Sequence, residues 1–362
     1  MRFAVLTALC LALTLGCDGD PVTDAGPPPT DAGAQDAGTD AGPEDAGVDA
    51  GRACDGPPGL YVDPDCTIVD PALEPFEPRF ELWTDGAHKD RWIYLPPGMQ
   101  IDTTNPDQWV FPVGTRVYKN FTVDGIRVET RLLEKTSAGV GVAAWTARTF
   151  LWNAAQNAVM DVTNAAPAVR ENVLGTNHDI PDGATCLRCH IGQNGNDMVN
   201  GFSAFQLNHG EAGVTLTALN AGRLTAMIPL ANAQVPGGAD DVAALGYLHT
   251  NCGNCHREGG DPAAALRMFY MRLLVGQSAT VEDTTTFRTG VNVPSSITFG
   301  AALCRFMPGD AANSVAIHRA STREPGVLMP PVGTEVVHEA GMTILRTWVN
   351  GLTVLPDAAC TP

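Results

Sequence analysis

The sequence predicts a multidomain α+β protein in which a sandwich-like antiparallel β domain precedes a mostly α-helical region. Between residues 75 and 165, short segments rich in β-branched and aromatic residues alternate with turn signals such as Pro-Pro-Gly and Asp-Gly. That alternation is typical of antiparallel strands. Five of the six tryptophans fall in this stretch, and we expect them to belong to its core. Further along the chain, apolar residues recur at the three- and four-residue steps of helices.

The predicted strands are 91–95, 108–111, 115–123, 126–134 and 142–152. Connections of a few residues join them, which favours hairpins between neighbouring strands. No Ser-His-Asp set, paired carboxylates in a motif or phosphate-binding loop accompanies these segments. The β domain therefore carries no recognisable catalytic motif.

The first 17 residues predict export. A basic residue precedes an apolar run over 3–15, which is too short to span a membrane and ends at Gly16-Cys17. Because cysteine follows a small residue, the "LTLGC" run resembles a lipobox in which Cys17 is lipidated. We therefore predict a membrane-anchored lipoprotein that faces the periplasm or the cell surface. Plain secretion is the alternative.

Residues 18–53 predict a disordered tether. This segment repeats Asp-Ala-Gly six times and carries no aromatic residue, so it lacks the apolar surface needed to offset its ordering entropy. Its nine acidic residues supply half of the formal charge of -18. A chain this acidic is unsuited to nucleic acid as a partner.

Eight cysteines follow the tether, in a compartment that favours disulfides. Four of them lie outside any motif, and three pairings of those four are possible. Proximity along the chain favours Cys54 with Cys66 and Cys304 with Cys360. Each bond would stabilise the fold by about 3–4 kcal/mol in the chain-entropy model.

The other four cysteines form two Cys-x-x-Cys-His elements, at 186–190 and 252–256. This spacing is the attachment signature of c-type haem. Two thiols on one helical turn add to the two vinyl groups on one edge of the porphyrin, and the following imidazole binds the iron. The predicted cofactor-binding residues are Cys186, Cys189 and His190 for one haem and Cys252, Cys255 and His256 for the other.

Other uses of these cysteines remain open. Two Cys-x-x-Cys pairs can supply four thiolates to one zinc ion, and each pair could instead be a redox-active dithiol or a structural disulfide. None of these alternatives explains why histidine directly follows both pairs. The sequence therefore favours two covalently attached haems.

Helices are predicted on both sides of the second element. Val242, Leu245 and Leu248 share one face of a helix that runs into Cys252, with Asp240 or Asp241 as its N-cap. A last helix places apolar residues on one face and stops near residue 351. In c-type cytochromes a first helix of this kind packs across a last helix, and a methionine on the loop between them binds the iron.

Met329 lies on such a loop, in "GVLMPPVGTE". It is the predicted distal iron ligand of the second haem, and a core-filling methionine is the alternative. For the first haem, Met227 is the predicted ligand, His178 and His209 are rivals, and an open position is also possible. The remaining histidines are expected to pack or cap in the case of His249 and to lie on the surface in the case of His88, His318 and His338.

The order of these segments resembles a family of predicted bacterial dihaem c-type cytochrome proteins. The resemblance covers about residues 75 to 352 and rests on "ELWTDGAHKDRWIYLPPG", "CLRCH", "YLHTNCGNCHREGG" and the final "LMPPVGTEVVHEAGMTILRTWVNGL". It implies a β-rich front module, two haem-attachment elements and a C-terminal haem domain in which Met329 matches the family's Met-Pro-Pro methionine. It implies nothing about the distal ligand of the first haem.

The predicted domain organisation has five parts. They are a signal and lipid site at 1–17, a tether at 18–53, a β-rich domain at 54–170, a first haem c region at 171–235 and a second cytochrome c-type domain at 236–362. The favoured function is single-electron transfer between a redox protein donor and a redox protein acceptor. The alternatives are a peroxidase-like haem enzyme with an open first haem, and a surface binding module with auxiliary haems.

Overall fold

The computed structural model describes residues 54–182, 185, 186, 190, 197, 199–353 and 360. The predicted signal, lipid site and tether lie outside the described residues, as does Cys189. The described chain is a mixed α+β structure with one six-stranded antiparallel sheet and a helical region that follows it. The fold class predicted from the sequence is therefore confirmed at the α+β level.

The six strands neighbour one another in chain order, so the sheet is a meander. Its strands are β1 (Glu74–Pro75), β2 (His88–Tyr94), β3 (Arg116–Val123), β4 (Ile126–Lys135), β5 (Trp145–Trp152) and β6 (Val159–Asp161). A separate two-stranded sheet pairs β7 (Pro294–Phe299) with β8 (Ala302–Cys304).

The register of the large sheet assigns its side chains to two faces. Ile93 pairs with Val117, which pairs with Leu133. This inner face packs on apolar residues of 199–233. Tyr118 and Leu132 point the other way, because successive side chains alternate across a strand.

That outer face packs against residues 54–73, which include Leu60 and Tyr61. A disulfide between Cys54 and Cys66 closes this covering segment. The second predicted disulfide, between Cys304 and Cys360, is also present. Both pairings predicted from proximity along the chain are therefore confirmed.

One predicted strand is wrong, and the sandwich is replaced by a different arrangement. Segment 108–111 joins the large sheet nowhere; only Val110 forms an isolated bridge, with Asp102. The segment is a loop whose alternate side chains are buried in the core, which explains its strand-like pattern. Trp109 and Phe111 are 4% and 3% exposed, and the Trp109 indole donates to the Pro106 carbonyl at 2.8 Å. Among the described residues, loops and helices rather than a second large sheet cover the two faces.

The described region contains seven α-helices. They are α1 (Ala204–Leu207), α2 (Leu216–Asn220), α3 (Ala239–Asn251), α4 (Pro262–Ala265), α5 (Thr285–Gly290), α6 (Val315–Ala320) and α7 (Glu339–Gly351). Short 3₁₀ turns occur at Val142–Ala144, Pro167–Val169, Val173–Gly175 and Leu230–Ala233. No helix of the described residues is long and apolar enough to cross a membrane.

Helices α3 and α7 pack against each other, as the sequence predicts for the helices beside the second element. They share a core that includes Leu245 of α3 and Leu345 of α7, and the Trp348 indole donates to the Asp241 carboxylate at 3.0 Å. Gly341 allows close approach, because a Cβ there would lie 2.4 Å from the Tyr247 ring.

The predicted N-cap of α3 is wrong by two or three residues. Gly238 is the N-cap, and Asp241 stands in the first turn, where its carboxylate accepts the Gly238 N–H at 2.9 Å. The aspartate thus closes the helix start from inside the first turn, as the acidic partner of a capping box does.

Core clusters cross both predicted domain boundaries. The inner sheet face shares its cluster with Val199 and Phe202, and Phe205 shares another with Ala244 and Leu245. The sheet and the helical region therefore bury apolar surface against each other. The boundaries at residues 170 and 235 remain predictions.

We predict that Gly341→Val lowers the free energy of unfolding by about 1–3 kcal/mol, the usual cost of overpacking a core contact. The new side chain would occupy the space that the Tyr247 ring fills. Denaturant unfolding measures the change. Gly351→Val is the matched control, because a Cβ at Gly351 meets no atom within 4 Å; equal losses in the two variants would contradict the close contact.

Candidate functional site

A cavity of about 990 Å³ lies between the inner face of the large sheet and the helical region. Residues of both Cys-x-x-Cys-His elements line it. They are Cys186 and His190 of the first element and Cys252, Cys255 and His256 of the second. Its volume is at the upper end of the range of about 300–1,000 Å³ for ligand and cofactor sites. Two elements that are far apart in the sequence therefore face one space.

The second element continues the backbone of α3. The Cys252 N–H donates to the Leu248 carbonyl at 3.0 Å, and the His256 N–H donates to the Cys252 carbonyl at 2.8 Å. Gly253 permits this tight turn, since a Cβ there would lie 2.5 Å from the His249 carbonyl oxygen. Because of this turn, the side chains of Cys252, Cys255 and His256 all line the 990 Å³ cavity.

The ring of His256 is held by one hydrogen bond. Its Nδ1 lies 3.0 Å from the carbonyl oxygen of Phe269, which can only accept, so Nδ1 donates. Burial lowers the pKa of His256 below its usual range, although the bond to Phe269 opposes the shift. The neutral ring then keeps a lone pair on Nε2, which is the state of a metal-binding histidine whose other nitrogen is fixed by a carbonyl.

Met329 lines the same cavity as His256. Its loop is fixed to α6 and to the following residues: the Met329 N–H donates to the Arg319 carbonyl at 2.9 Å, and the Arg323 guanidinium donates to the Met329 carbonyl at 3.2 Å. The Thr334 hydroxyl donates to the Pro330 carbonyl at 3.0 Å. The methionine thus stands on a loop with several backbone anchors.

The helical side of the cavity combines an apolar patch with four arginines, Arg267, Arg305, Arg319 and Arg323. The apolar patch is formed by Leu248, Phe269, Met271, Phe306, Met342 and Leu345. Burial raises the pKa of the Cys252 thiol to about 12, so this thiol is protonated near neutral pH. A cofactor against this patch would contact mainly apolar side chains.

The first element begins at a capped turn. The Asp182 carboxylate accepts the Thr185 N–H at 2.6 Å, and the Asp182 carbonyl accepts the Cys186 N–H at 2.9 Å. Cys186 and His190 both line the cavity. Cys189, the second predicted thiol, is outside the described residues.

Of the three side chains proposed as the distal ligand of the first haem, the structure brings one to the cavity. His178 lines it. Met227 is 71% exposed and is not a lining residue, and neither is His209, whose Nδ1 accepts the Glu211 N–H at 3.1 Å. The placement gives Met227 no support as a ligand.

His178 belongs to a buried charged cluster that sequence reasoning missed. Its Nε2 lies 2.8 Å from Glu129, and the Arg131 guanidinium donates to both oxygens of that carboxylate, at 2.5 and 2.9 Å. Burial raises the pKa of Glu129, but the charge of Arg131 and the hydrogen bond from His178 outweigh it and lower the pKa from 4.5 to about 2. The i, i+2 spacing of Glu129 and Arg131 was the available signal, because it puts both on one face of a strand.

The other histidines mostly behave as expected. His249 is buried and its Nδ1 accepts the Leu273 N–H at 3.0 Å, so it packs as expected. His88 and His318 are exposed. The expectation for His338 is wrong: it is half-buried, lines the cavity and stacks on Trp83 with ring centroids 4.0 Å apart. An aromatic partner distant in sequence covers it, which no local pattern indicates.

Within the described part of the chain, no group of three or more His, Cys, Asp or Glu side chains is arranged to hold a metal ion by itself. Comparison of the chain with protein-family models, with curated proteins and with solved structures found no match. The resemblance drawn from the motifs thus remains an expectation. What the site offers is thiols, imidazoles and a methionine around one large cavity.

We predict that Glu129→Gln destabilises the protein by about 3 kcal/mol at pH 7, the equivalent of lowering a carboxyl pKa from 4.5 to about 2. The ionised carboxylate stabilises the fold fully above about pH 4.5, and this contribution is lost as the pH falls toward 2. The difference between variant and wild type should therefore shrink over that window. Unfolding measured from pH 7 to about pH 2.5 tests it.

Asp161→Asn is the control for this pH series. Asp161 pairs with Arg148 at 2.9 Å, but both side chains are substantially exposed, at 40% and 38%. An exposed pair contributes less than about 1 kcal/mol. A loss at Asp161 as large as that at Glu129 would contradict the importance of burial.

Proposed function

We propose that the chain is an exported, lipid-anchored dihaem c-type cytochrome that transfers single electrons between a redox protein donor and a redox protein acceptor. Two attachment elements that open onto one cavity carry this proposal. The hydrogen bond that leaves Nε2 of His256 free to bind a metal adds to it. Anchoring would occur through lipidated Cys17.

The second element offers a complete set of residues for one haem. Each thiol of Cys252 and Cys255 would add across one vinyl double bond, and His256 would supply the proximal ligand. Met329 faces the same cavity and would supply the distal ligand. The packing of α3 across α7 supports a cytochrome-like organisation of this helical region.

The residues around this position also favour a particular range of reduction potential. A thioether ligand and an apolar surrounding both stabilise the ferrous state, so a His/Met pair raises the potential relative to two histidines. The apolar patch would limit the access of water, and the backbone anchors of the Met-Pro-Pro loop would help to hold the thioether in place. Bound haem would supply the one-electron chemistry, while the protein's residues hold and shield it.

The first element would hold the other haem through Cys186, Cys189 and His190. Because both elements line one cavity, the two porphyrins would lie near each other. Electron tunnelling slows exponentially with distance, so close porphyrins exchange electrons rapidly. This arrangement suits a relay between two protein partners, and the formal charge of -18 disfavours nucleic acid as one of them.

A second candidate function rests on the first haem. Met227 and His209 lie away from the cavity lining, and His178 is hydrogen-bonded to Glu129. An open sixth position would allow a peroxidase-like reaction with a small oxidant. Rapid cyanide binding to a high-spin ferric haem would favour this function over the relay.

We predict two covalent haems per chain when the full-length protein is produced in a host with a working cytochrome c maturation system. Replacement of Cys186 and Cys189 by Ala should remove one, and replacement of Cys252 and Cys255 should remove the other. Pyridine haemochrome absorbance and intact mass count them.

The control for this count is replacement of Cys54 and Cys66, which form a disulfide. It should leave two haems. A colourless protein at its polypeptide mass would overturn the proposed function, as would zinc bound by the four thiols of the two elements.

We further predict that Met329→Ala lowers the midpoint potential of one haem and removes the absorption band of a methionine–iron bond. Met227→Ala should change neither, since Met227 is 71% exposed. Met271 also lines the cavity and is 4% exposed. If Met271→Ala rather than Met329→Ala removes the band, the ligand has been assigned to the wrong methionine.

A further inference from the structure

Three cationic residues stand side by side across the inner face of the large sheet. Arg91 of β2 is directly opposite Lys119 of β3, and Lys119 is directly opposite Arg131 of β4. Neighbouring strands are about 4.8 Å apart, so the three residues form a short transverse row. All three line the cavity that both attachment elements face. We call them the cation row.

Such a row is unfavourable by itself, because like charges directly opposite in a sheet repel each other. Nearby carboxylates offset only part of this repulsion. Arg131 is paired with Glu129 at 2.5 Å, and Lys89, which adds a further positive charge nearby, is paired with Glu81 at 2.8 Å. The Arg91 guanidinium donates to the Lys89 carbonyl at 3.0 Å.

Lys119, in the middle of the row, has no such partner. In the part of the chain that the structure describes, no carboxylate or hydrogen-bond acceptor contacts its ammonium group, which lies 4.6 Å from the centre of the Phe121 ring. Burial lowers the pKa of Lys119 well below its usual range, and the charges of Arg91 and Arg131 lower it further. An unpaired ammonium between two guanidinium groups is stabilised by an anion.

A haem in the cavity would carry carboxylates that could serve as this anion. The two vinyl groups and the two propionate carboxylates occupy opposite sides of the porphyrin. A haem bonded through its vinyl side to a Cys-x-x-Cys-His element would direct its carboxylates away from that element, toward other residues that line the cavity. The cation row belongs to the wall formed by the sheet.

We propose that the cation row binds the propionate carboxylates of the haem attached at the first element. This inference rests on the proposed function. The first element is favoured because Arg131 and His178 share the carboxylate of Glu129, and the chain runs from His178 directly into that element. The second element has other cations beside it, since Arg319 and Arg305 are charged neighbours of its histidine.

The test uses Lys119→Met in the haem-loaded, full-length protein. Removal of a positive charge beside a haem disfavours its reduced state, so one of the two midpoint potentials should fall while the other stays unchanged and two haems remain bound. Arg116→Gln is the matched control. Arg116 lies on the same strand but on the opposite face, over the Tyr94 ring at 4.6 Å. Unchanged potentials in Lys119→Met, or an equal fall in Arg116→Gln, would overturn the inference.

A second measurement compares thermal unfolding with and without the first haem. In the two-haem protein, Lys119→Met should lower the melting temperature, because the carboxylates lose a partner. In a background with Cys186 and Cys189 replaced by Ala, the same change should raise it, because only repulsion is removed. A change of the same sign in both backgrounds contradicts the proposal. If that background does not fold, the potentials decide.

Added anions distinguish the propionates from a free ligand. Phosphate and nitrite, titrated into the two-haem protein, should produce no saturable spectral change that depends on Lys119. A saturable change lost in Lys119→Met would assign the row to a free oxyanion and overturn the inference. Absence of covalent haem would instead overturn the proposed function itself, so the two failures are distinguishable.

Discussion

A buried ion pair ties the segment that follows the first Cys-x-x-Cys-His element to the sheet. The Lys135 ammonium at the end of β4 lies 2.6 Å from the Asp197 carboxylate, and these side chains are 1% and 0% exposed. The same carboxylate accepts the Trp145 indole at 2.6 Å and the Phe111 N–H at 2.8 Å. These additional donors offset the cost of removing both charges from water, which a bare pair would not recover.

The location of this ion pair fixes one part of the cavity lining to the sheet. Asp197 follows His190 by seven residues in the sequence, so the chain that leaves the first element is fixed to the inner sheet face. The second element is fixed separately, by α3 and its packing against α7. The sheet forms one wall of the cavity and the helical region forms another, and residues of both elements face the space between them.

The two walls differ in chemistry, and that difference bears on the proposed relay. The helical wall combines an apolar patch and the anchored Met329 with separate arginines, whereas the sheet wall carries the cation row and the Glu129 cluster. Two cofactors in such surroundings would differ in reduction potential without differing in chemical identity, because ligand, burial and nearby charge all tune a haem. A difference of this kind would set a preferred order of electron transfer within the protein.

Local sequence pattern was enough to predict most of the strands, the two long helices and the contacts between residues that are close together in the chain. Alternation predicted β2 to β5, the three- and four-residue steps predicted α3 and α7, and proximity predicted both disulfides. The two Cys-x-x-Cys-His elements were evident from spacing alone. Local pattern failed where burial came from a loop, as at Trp109, and where a cap acted from inside the first turn, as at Asp241.

Tertiary structure alone decided which distant residues share a site. Strand register aligns Arg91, Lys119 and Arg131, which are scattered in the sequence, and it is set by cross-strand packing over the whole sheet. The common cavity, the Glu129–His178 contact and the stacking of His338 on Trp83 likewise depend on how the sheet and helices pack. The spacing of each Cys-x-x-Cys-His element is a local property of the sequence, because its cysteines and histidine are five residues or fewer apart. The juxtaposition of the two elements is a long-range property, and no short stretch of sequence contains it.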